Sequence, residues 1–378
     1  MEQTNNQAAD SSGPRKRAHQ AWLDSARAFA ALWVVAHHAY LTVTFKANGL
    51  LPRVAQHWLI HGHLAVTVFI AVSGYSLALQ VASTDWRLKD GYREFMSSRI
   101  IRIVPPYYAS IALSLICIAA YIGAKTGTHW DLSIPVSTSD IIKHLLMVQN
   151  FSGAPKINHV FWSISLEFQI YLFFGLILAA LRRFNYYGAI GIAMLLSGAS
   201  ALLYSLLGML FPARLLYADT SLIAYFPVFV FGVLACKLAH DEPEFGRKRG
   251  VPLFLCATLV CIGATMLRST WQDLIFGSSV AVALYSVATN DRLRVTASYR
   301  AFAVLGAFAY SLYLTHAFVL QILFQAMRSF KPTDTLTHSI EFLCLSLPIC
   351  LIVAYAFYIS CERPCFKLRH LLRRRNNK

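Results

Sequence analysis

The chain has 378 residues, of which 57% are hydrophobic and only 14% charged, with a formal net charge of +16 and a mean hydropathy of +0.51. That balance excludes an ordinary soluble globular domain and points to an all-helical, polytopic protein whose solvent is a bilayer, because a spanning helix needs about 20 mostly apolar residues. The positive charge reads as membrane topology and gives no reason to expect nucleic acid as a partner.

The polar first 20 residues are expected to form a disordered cytosolic tail, with no cleavage site after the first apolar stretch. About ten spans follow, at roughly 21–43, 62–82, 103–123, 160–181, 187–210, 220–239, 251–268, 271–289, 302–327 and 339–360. An even number places both termini on one side. With the termini cytoplasmic, 24 of the 34 Lys and Arg fall in cytoplasmic segments, nine lie outside and Arg27 lies within the first span. The expected organisation is a membrane domain over 21–368 between the tail at 1–20 and a basic cytosolic tail at 369–378. The basic runs Arg247-Lys248-Arg249 and Arg373-Arg374-Arg375 can also touch anionic head groups.

Ionisable residues inside spans cost about 2.5–3.5 kcal/mol each on insertion scales, so each is a functional hypothesis. In the first span, Arg27 and His38 are eleven residues apart. At about 100° and 1.5 Å per residue they share a face, roughly 16 Å apart along the axis, whereas His37 points about 100° away from His38. Asp24 either caps the helix start or pairs with Arg27. His38 is either a core histidine bonded to a neighbouring helix or a general base, since a neutral imidazole near pH 7 can take a proton from an acceptor hydroxyl.

Before the third span, Arg99 and Arg102 share a helical face at the boundary. That placement suits either positive-inside anchoring or forked hydrogen bonds to phosphate. The fourth span opens with His159, Ser163 and Glu167 at intervals of four, hence on one face. Glu167 is a buried carboxylate in need of a partner, for catalysis or as a structural clamp. The external segment 124–159 is the longest external loop and holds the amphipathic stretch from Ser139 to Leu146, which makes it the candidate for acceptor selectivity. The ninth span has His316 in its middle, and the last ends at Glu362-Arg363-Pro364, where Glu362 and Arg363 can form a boundary ion pair. The eight cysteines form no CxxC pair and the histidines lack zinc-type spacing, so packing is the expected role of the thiols and no metal is expected.

Taken together, these segments resemble the acyltransferase 3 family of integral membrane acyltransferases over about residues 21–368. The family's Leu-Asp-Gly-x-Arg-Gly pattern with a following His-Ala pair is similar to Leu23-Asp24-Ser25-Ala26-Arg27-Ala28 and His38-Ala39. Phe-Phe-x-x-Ser-Gly is matched by Phe69 through Gly74, Arg-x-x-Arg by Arg99 and Arg102, and Trp-Ser-Leu-Ser-x-Glu by Trp162 through Glu167. Tyr310 through His316 resembles Tyr-Ser-Leu-Tyr-Leu-x-His, and Glu362-Arg363-Pro364 resembles the terminal Glu-x-Pro. The chain departs from the pattern at Ser25 and Ala28, which replace glycines, at Thr67 in place of an aspartate, and at Phe168 in place of a second glutamate.

The resemblance implies transfer of an acyl group, commonly acetyl from cytosolic acetyl-CoA, to a hydroxyl of a cell-envelope carbohydrate such as an exopolysaccharide or O-antigen. It implies a multi-pass protein of a bacterial inner membrane. On that reading Arg99 and Arg102 hold CoA phosphates, Arg27 orients the thioester arm, His38 is the base, and Glu167 or Glu362 orients or protonates a partner. Asp24, Ser73, Trp162 and His316 are candidate substrate-binding or orienting residues in the same segments. Intramembrane Arg, His and Glu also build proton relays, so a proton-coupled transporter or flippase is the alternative from another class.

Overall fold

The computed structural model describes residues 14–43, 50–152, 155–210, 221–267, 271–330 and 336–366. Among them the architecture is all-helical. The helices are α1 (Pro14–Val43), α2 (Leu50–Ile60), α3 (Leu64–Val81), α4 (Gly91–Cys117), α5 (Thr138–Leu145), α6 (Trp162–Leu172), α7 (Phe174–Leu210), α8 (Ser221–Asp241), α9 (Pro243–Ala264), α10 (Trp271–Thr289), α11 (Asp291–Ala297), α12 (Arg300–Gly306), α13 (Ala309–Phe330) and α14 (Leu336–Phe357). Helix α1 includes residues 14–20. Residues 1–13 and the basic tail at 369–378 lie outside the described residues.

Five helical stretches are long and apolar enough to cross a membrane, 64–84, 91–122, 174–203, 223–241 and 341–366, and the bent pair α12 and α13 makes up to six. The helices at three other expected positions, α1, α9 and α10, owe their lower apolarity to their polar content. In α1 this is Asp24, Arg27 and the histidines, in α9 it is Glu244, Arg247, Lys248 and Arg249, and in α10 it is Gln272, Asp273 and serines. The fourth expected span is interrupted at Phe173 between α6 and α7, and α7 itself breaks at Asn185, where φ is 54° and ψ −143°. The ninth bends by 71° between α12 and α13.

Helix α3 is the hub, buried on nearly all sides and packed on α1, α8 and α10. Its sequence permits this because Gly74 and Gly232 let α3 and α8 approach backbone to backbone. A Cβ on Gly74 would lie 2.1 Å from Phe229 O, and one on Gly232 would lie 2.0 Å from Ala71 O. Small residues at a crossing supply the close packing that drives association where lipid competes equally for apolar side chains. Outward-facing Leu176, Met194, Leu195, Leu259, Val260 and Ile352 form the apolar exterior that a bilayer would solvate.

The segment between α4 and α6 folds over one end of this bundle. Its amphipathic stretch is α5, closed by a capping box in which Ser137 Oγ accepts from Asp140 N while the Asp140 carboxylate accepts from Ser137 N. Residues His129–Ser133 and His159–Phe161 form short turns that are pinned together. Ser133 O accepts from Ile157 N at 2.9 Å, and Ser133 Oγ accepts from His159 N at 3.0 Å.

Candidate active site

A cavity of about 990 Å³, counting space continuous with the exterior, opens between α1, α3, α4, α6 and the α12–α13 bend. Arg27, Arg99, Arg102, Ser73, Glu167 and Glu362 all line it, so the structure gathers six of the expected residues from five separated segments into one place. The bend supplies part of its wall through Gly306, Ala307, Ala309 and Tyr310. Irregular backbone at membrane depth is tolerated where it lines a cavity or is covered by protein. The bend sits tight against α1, since a Cβ on Gly306 would lie 2.0 Å from Asp24 O.

Arg27 is held at both ends of its guanidinium. Nη1 donates to Asp24 Oδ1 at 2.6 Å and Nη2 to Ser76 Oγ at 2.6 Å, and Ser76 in turn donates to Val72 O. Asp24 thus pairs with Arg27 and acts on the cavity through it. Arg99 is 3% exposed, with its guanidinium over the Phe95 ring at 5.6 Å, and Arg102 lies over Phe366 at 5.9 Å. A run of positive-inside lysines would project into solvent, so burial of Arg99 in a cavity wall favours ligand binding over simple anchoring.

Glu167 finds its partners on α3 and on its own helix. It accepts from Ser73 Oγ at 2.9 Å and from the Tyr171 hydroxyl one turn later, and Ser73 and Tyr171 are bonded to each other. Three polar groups therefore satisfy one another on an otherwise apolar face. Glu362 is 1% exposed, delivered by a π-helical turn at Tyr358–Glu362, and accepts from Ser311 Oγ at 2.5 Å. Its partner is this serine on α13, so the expected boundary pair with Arg363 is replaced by a buried hydrogen bond.

His38 stands apart from the cavity, one length of α1 farther along, as its spacing from Arg27 requires. It meets His316 of α13, with His316 Nε2 3.2 Å from His38 Nδ1. The tautomers follow from the acceptors around them. His316 Nδ1 lies 2.8 Å from Tyr313 O and 3.2 Å from Leu312 O, and a carbonyl can only accept, so Nδ1 carries the hydrogen and Nε2 the lone pair. His38 Nδ1 must then donate, both to His316 and to Val34 O at 3.0 Å. The lone pair of His38 is left on Nε2, which is the atom a base would use.

Between the cavity and this histidine pair stand Ser163 and Tyr313. Both line the cavity, Ser163 donates to the Tyr313 hydroxyl at 2.6 Å, and that hydroxyl donates to Val160 O at 2.9 Å. The Tyr313 ring is 5.7 Å from that of His316. Trp162, expected to orient substrate, instead stacks on Tyr225 of α8 at 6.0 Å, away from the cavity lining. Its neighbour in the sequence, Ser163, takes the lining position because adjacent helical residues face about 100° apart.

Two residues, Asp273 and His129, escape any linear reading. Asp273 of α10 accepts from Thr67 Oγ1 at 2.8 Å, so a carboxylate reaches position 67 from another helix although the chain has a threonine there. His129 and His159 converge on His38, with ring centroids at 5.8 and 5.0 Å. Burial lowers the affinity of the His129 imidazole for a proton below its ordinary value. The spacing of four from Ser163 marks His159, whereas nothing in the sequence marks His129.

No curated protein and no solved structure matches the chain. The family model described as an acyltransferase domain matches residues 20–359, and by that match over most of its length the chain belongs to the acyltransferase 3 family and is a membrane acyltransferase.

Proposed function

We propose that the protein is a membrane O-acyltransferase that moves an acyl group, acetyl in the simplest case, from a cytosolic acyl-CoA to a hydroxyl of a cell-envelope carbohydrate in a bacterial inner membrane. The observation that carries this reading is the meeting of Arg27, Arg99 and Arg102 with Ser163 and Tyr313 in one cavity, the Tyr313 ring lying 5.7 Å from that of His316, the partner of His38. A long, phosphorylated thioester donor needs cations at one end and a proton acceptor at the other, and α1 alone carries one of each on one face.

In this reading Arg99 and Arg102 hold donor phosphates, and Arg27, fixed by Asp24 and Ser76, orients the thioester arm. His38 Nε2 takes the proton of the acceptor hydroxyl as its oxygen bonds to the acyl carbon, and the imidazolium returns that proton to the departing thiolate. His316 steadies the imidazolium by accepting from Nδ1. The external segment around α5 supplies acceptor selectivity, being the part of the chain that covers the histidine end.

The test compares envelope glycans with and without the gene by mass spectrometry, together with a His38→Ala chain that still inserts. An acetyl-sized mass difference that disappears with His38→Ala is expected. Near wild-type acylation by His38→Ala would remove the base from the scheme, and identical glycans would remove the carbohydrate acceptor.

A further inference from the structure

We infer that His38, His129 and His159 form a binding site for a borderline divalent cation of the zinc class. They arrive from α1, the turn at His129–Ser133 and the turn at His159–Phe161, and one ligand nitrogen from each lies within 4.8 Å of the others. Three independent backbone segments presenting imidazoles to one point is a ligand set, unlike the i,i+4 pairs that arise along any polar helix face.

Two further observations leave a ring nitrogen available for a ligand. His159 is 6% exposed, and its Nε2 is buried with no hydrogen-bond partner, while Nδ1 is occupied by Ser133 Oγ at 3.1 Å. An unmatched buried nitrogen is costly, and a coordinate bond would recover that cost. His38 Nδ1 is committed to Val34 O and His316, which leaves its Nε2 for a ligand. Metal-bound histidines ordinarily have their other ring nitrogen bonded in this manner, to a carbonyl or a side-chain oxygen.

The support around the ligands is already built. Trp130 Nε1 donates to Ile122 O at 3.1 Å and Thr128 Oγ1 to Gln321 Oε1 at 2.9 Å, so the residues on either side of the His129 backbone are anchored. Zinc–nitrogen bonds of about 2.0–2.1 Å in a tetrahedron bring ligand nitrogens to roughly 3.4 Å from one another, so closure requires the half-buried His129 ring to swing inward by about an ångström. An all-imidazole set selects zinc, cobalt, nickel or copper over magnesium and calcium, which require oxygen. Three ligands leave a fourth position for water.

The consequence for transfer rests on the proposed role of His38 as base. A cation on His38 Nε2 consumes the lone pair that would accept the hydroxyl proton, so metal and acceptor deprotonation compete for one atom and the cation inhibits.

The experiment uses the full chain purified in detergent, freed of any affinity tag and stripped with a chelator. Zn²⁺ is titrated against a chromophoric chelator, and Co²⁺ is followed by its visible ligand-field absorption. One equivalent of each is expected to bind. His129→Ala and His159→Ala should each weaken binding by at least about 100-fold, and His129→Gln should do so with the least disturbance to folding, checked by elution volume and helicity. His61→Ala, in the separate His57–His61–His63 group, should leave binding unchanged. Absence of stoichiometric uptake, or equal uptake by the His129 and His159 variants, would overturn the site. Acyl transfer should fall with added Zn²⁺ in the native chain and be spared in His129→Gln. Stoichiometric, His129-dependent uptake with unchanged transfer would overturn the inhibition and the base role of His38, while the metal site would stand.

Discussion

His316 Nε2 accepts from His38 Nδ1 across 3.2 Å, and this contact fixes which nitrogen of His38 keeps its lone pair. His316 is 0% exposed and its other nitrogen is spent on backbone carbonyls, so it acts through His38. Its replacement by Ala is expected to lower kcat by about 10²-fold or more with the donor KM nearly unchanged. His316→Gln, whose amide oxygen can accept from Nδ1, should recover part of the loss, and the pH profile of His316→Ala should shift relative to the native one. A variant that raises only the KM would place His316 in donor binding instead.

Arg99 and Arg102 both line the cavity on α4, just before Pro105 and Pro106. Removing one charge-assisted contact costs about 1.5–3 kcal/mol. Arg99→Ala and Arg102→Ala should therefore each weaken acyl-CoA binding by roughly 10- to 100-fold, measured by calorimetry on the purified chain. Lysine at either position should restore the charge and only part of the affinity, because it lacks the planar fork. Unchanged affinity in both alanine variants would reduce them to topology signals.

Ser73, Glu167 and Tyr171 share one set of hydrogen bonds between α3 and α6. Ser73→Ala and Glu167→Gln should accordingly be non-additive in thermal stability, with a coupling of about 0.5–3 kcal/mol. Strict additivity in a double-mutant cycle would mean the three act independently.

At the α3–α8 crossing, the Cβ of Gly74→Ala would meet Phe229 O, a backbone atom that cannot turn aside. Overpacking of this kind costs about 1–3 kcal/mol. Gly74→Ala and Gly232→Ala should lower the melting temperature in detergent, whereas Gly191→Ala, where a Cβ would meet nothing within 4 Å, should be nearly silent.

Much of this arrangement was legible along the chain, for one physical reason. Helical periodicity is local, so the shared face of Arg27 and His38 and the row His159, Ser163 and Glu167 could be read from spacing alone. What periodicity does not encode is how helices meet. Glu167 finding Ser73, Glu362 finding Ser311 instead of Arg363, and Trp162 turning to Tyr225 depend on contacts between segments far apart in sequence. His129 and Asp273 were invisible for the same reason, since each reaches its group from an element with no periodic signal of function. The interruptions at Phe173 and between α12 and α13 were hidden by uniformly apolar composition, which does not distinguish a straight span from a broken one.

The 2.6 Å bond between Ser163 and Tyr313 ties α6 to α13 in the cavity wall, where the Tyr313 ring lies 5.7 Å from that of His316. A tie of this kind holds the wall closed against water, which shields a thioester bound in the cavity until an acceptor arrives. The price of removing it is wasteful hydrolysis. Tyr313→Phe and Ser163→Ala should both raise the rate of acyl-CoA cleavage measured without acceptor, and an unchanged rate would mean that the cavity is sealed elsewhere.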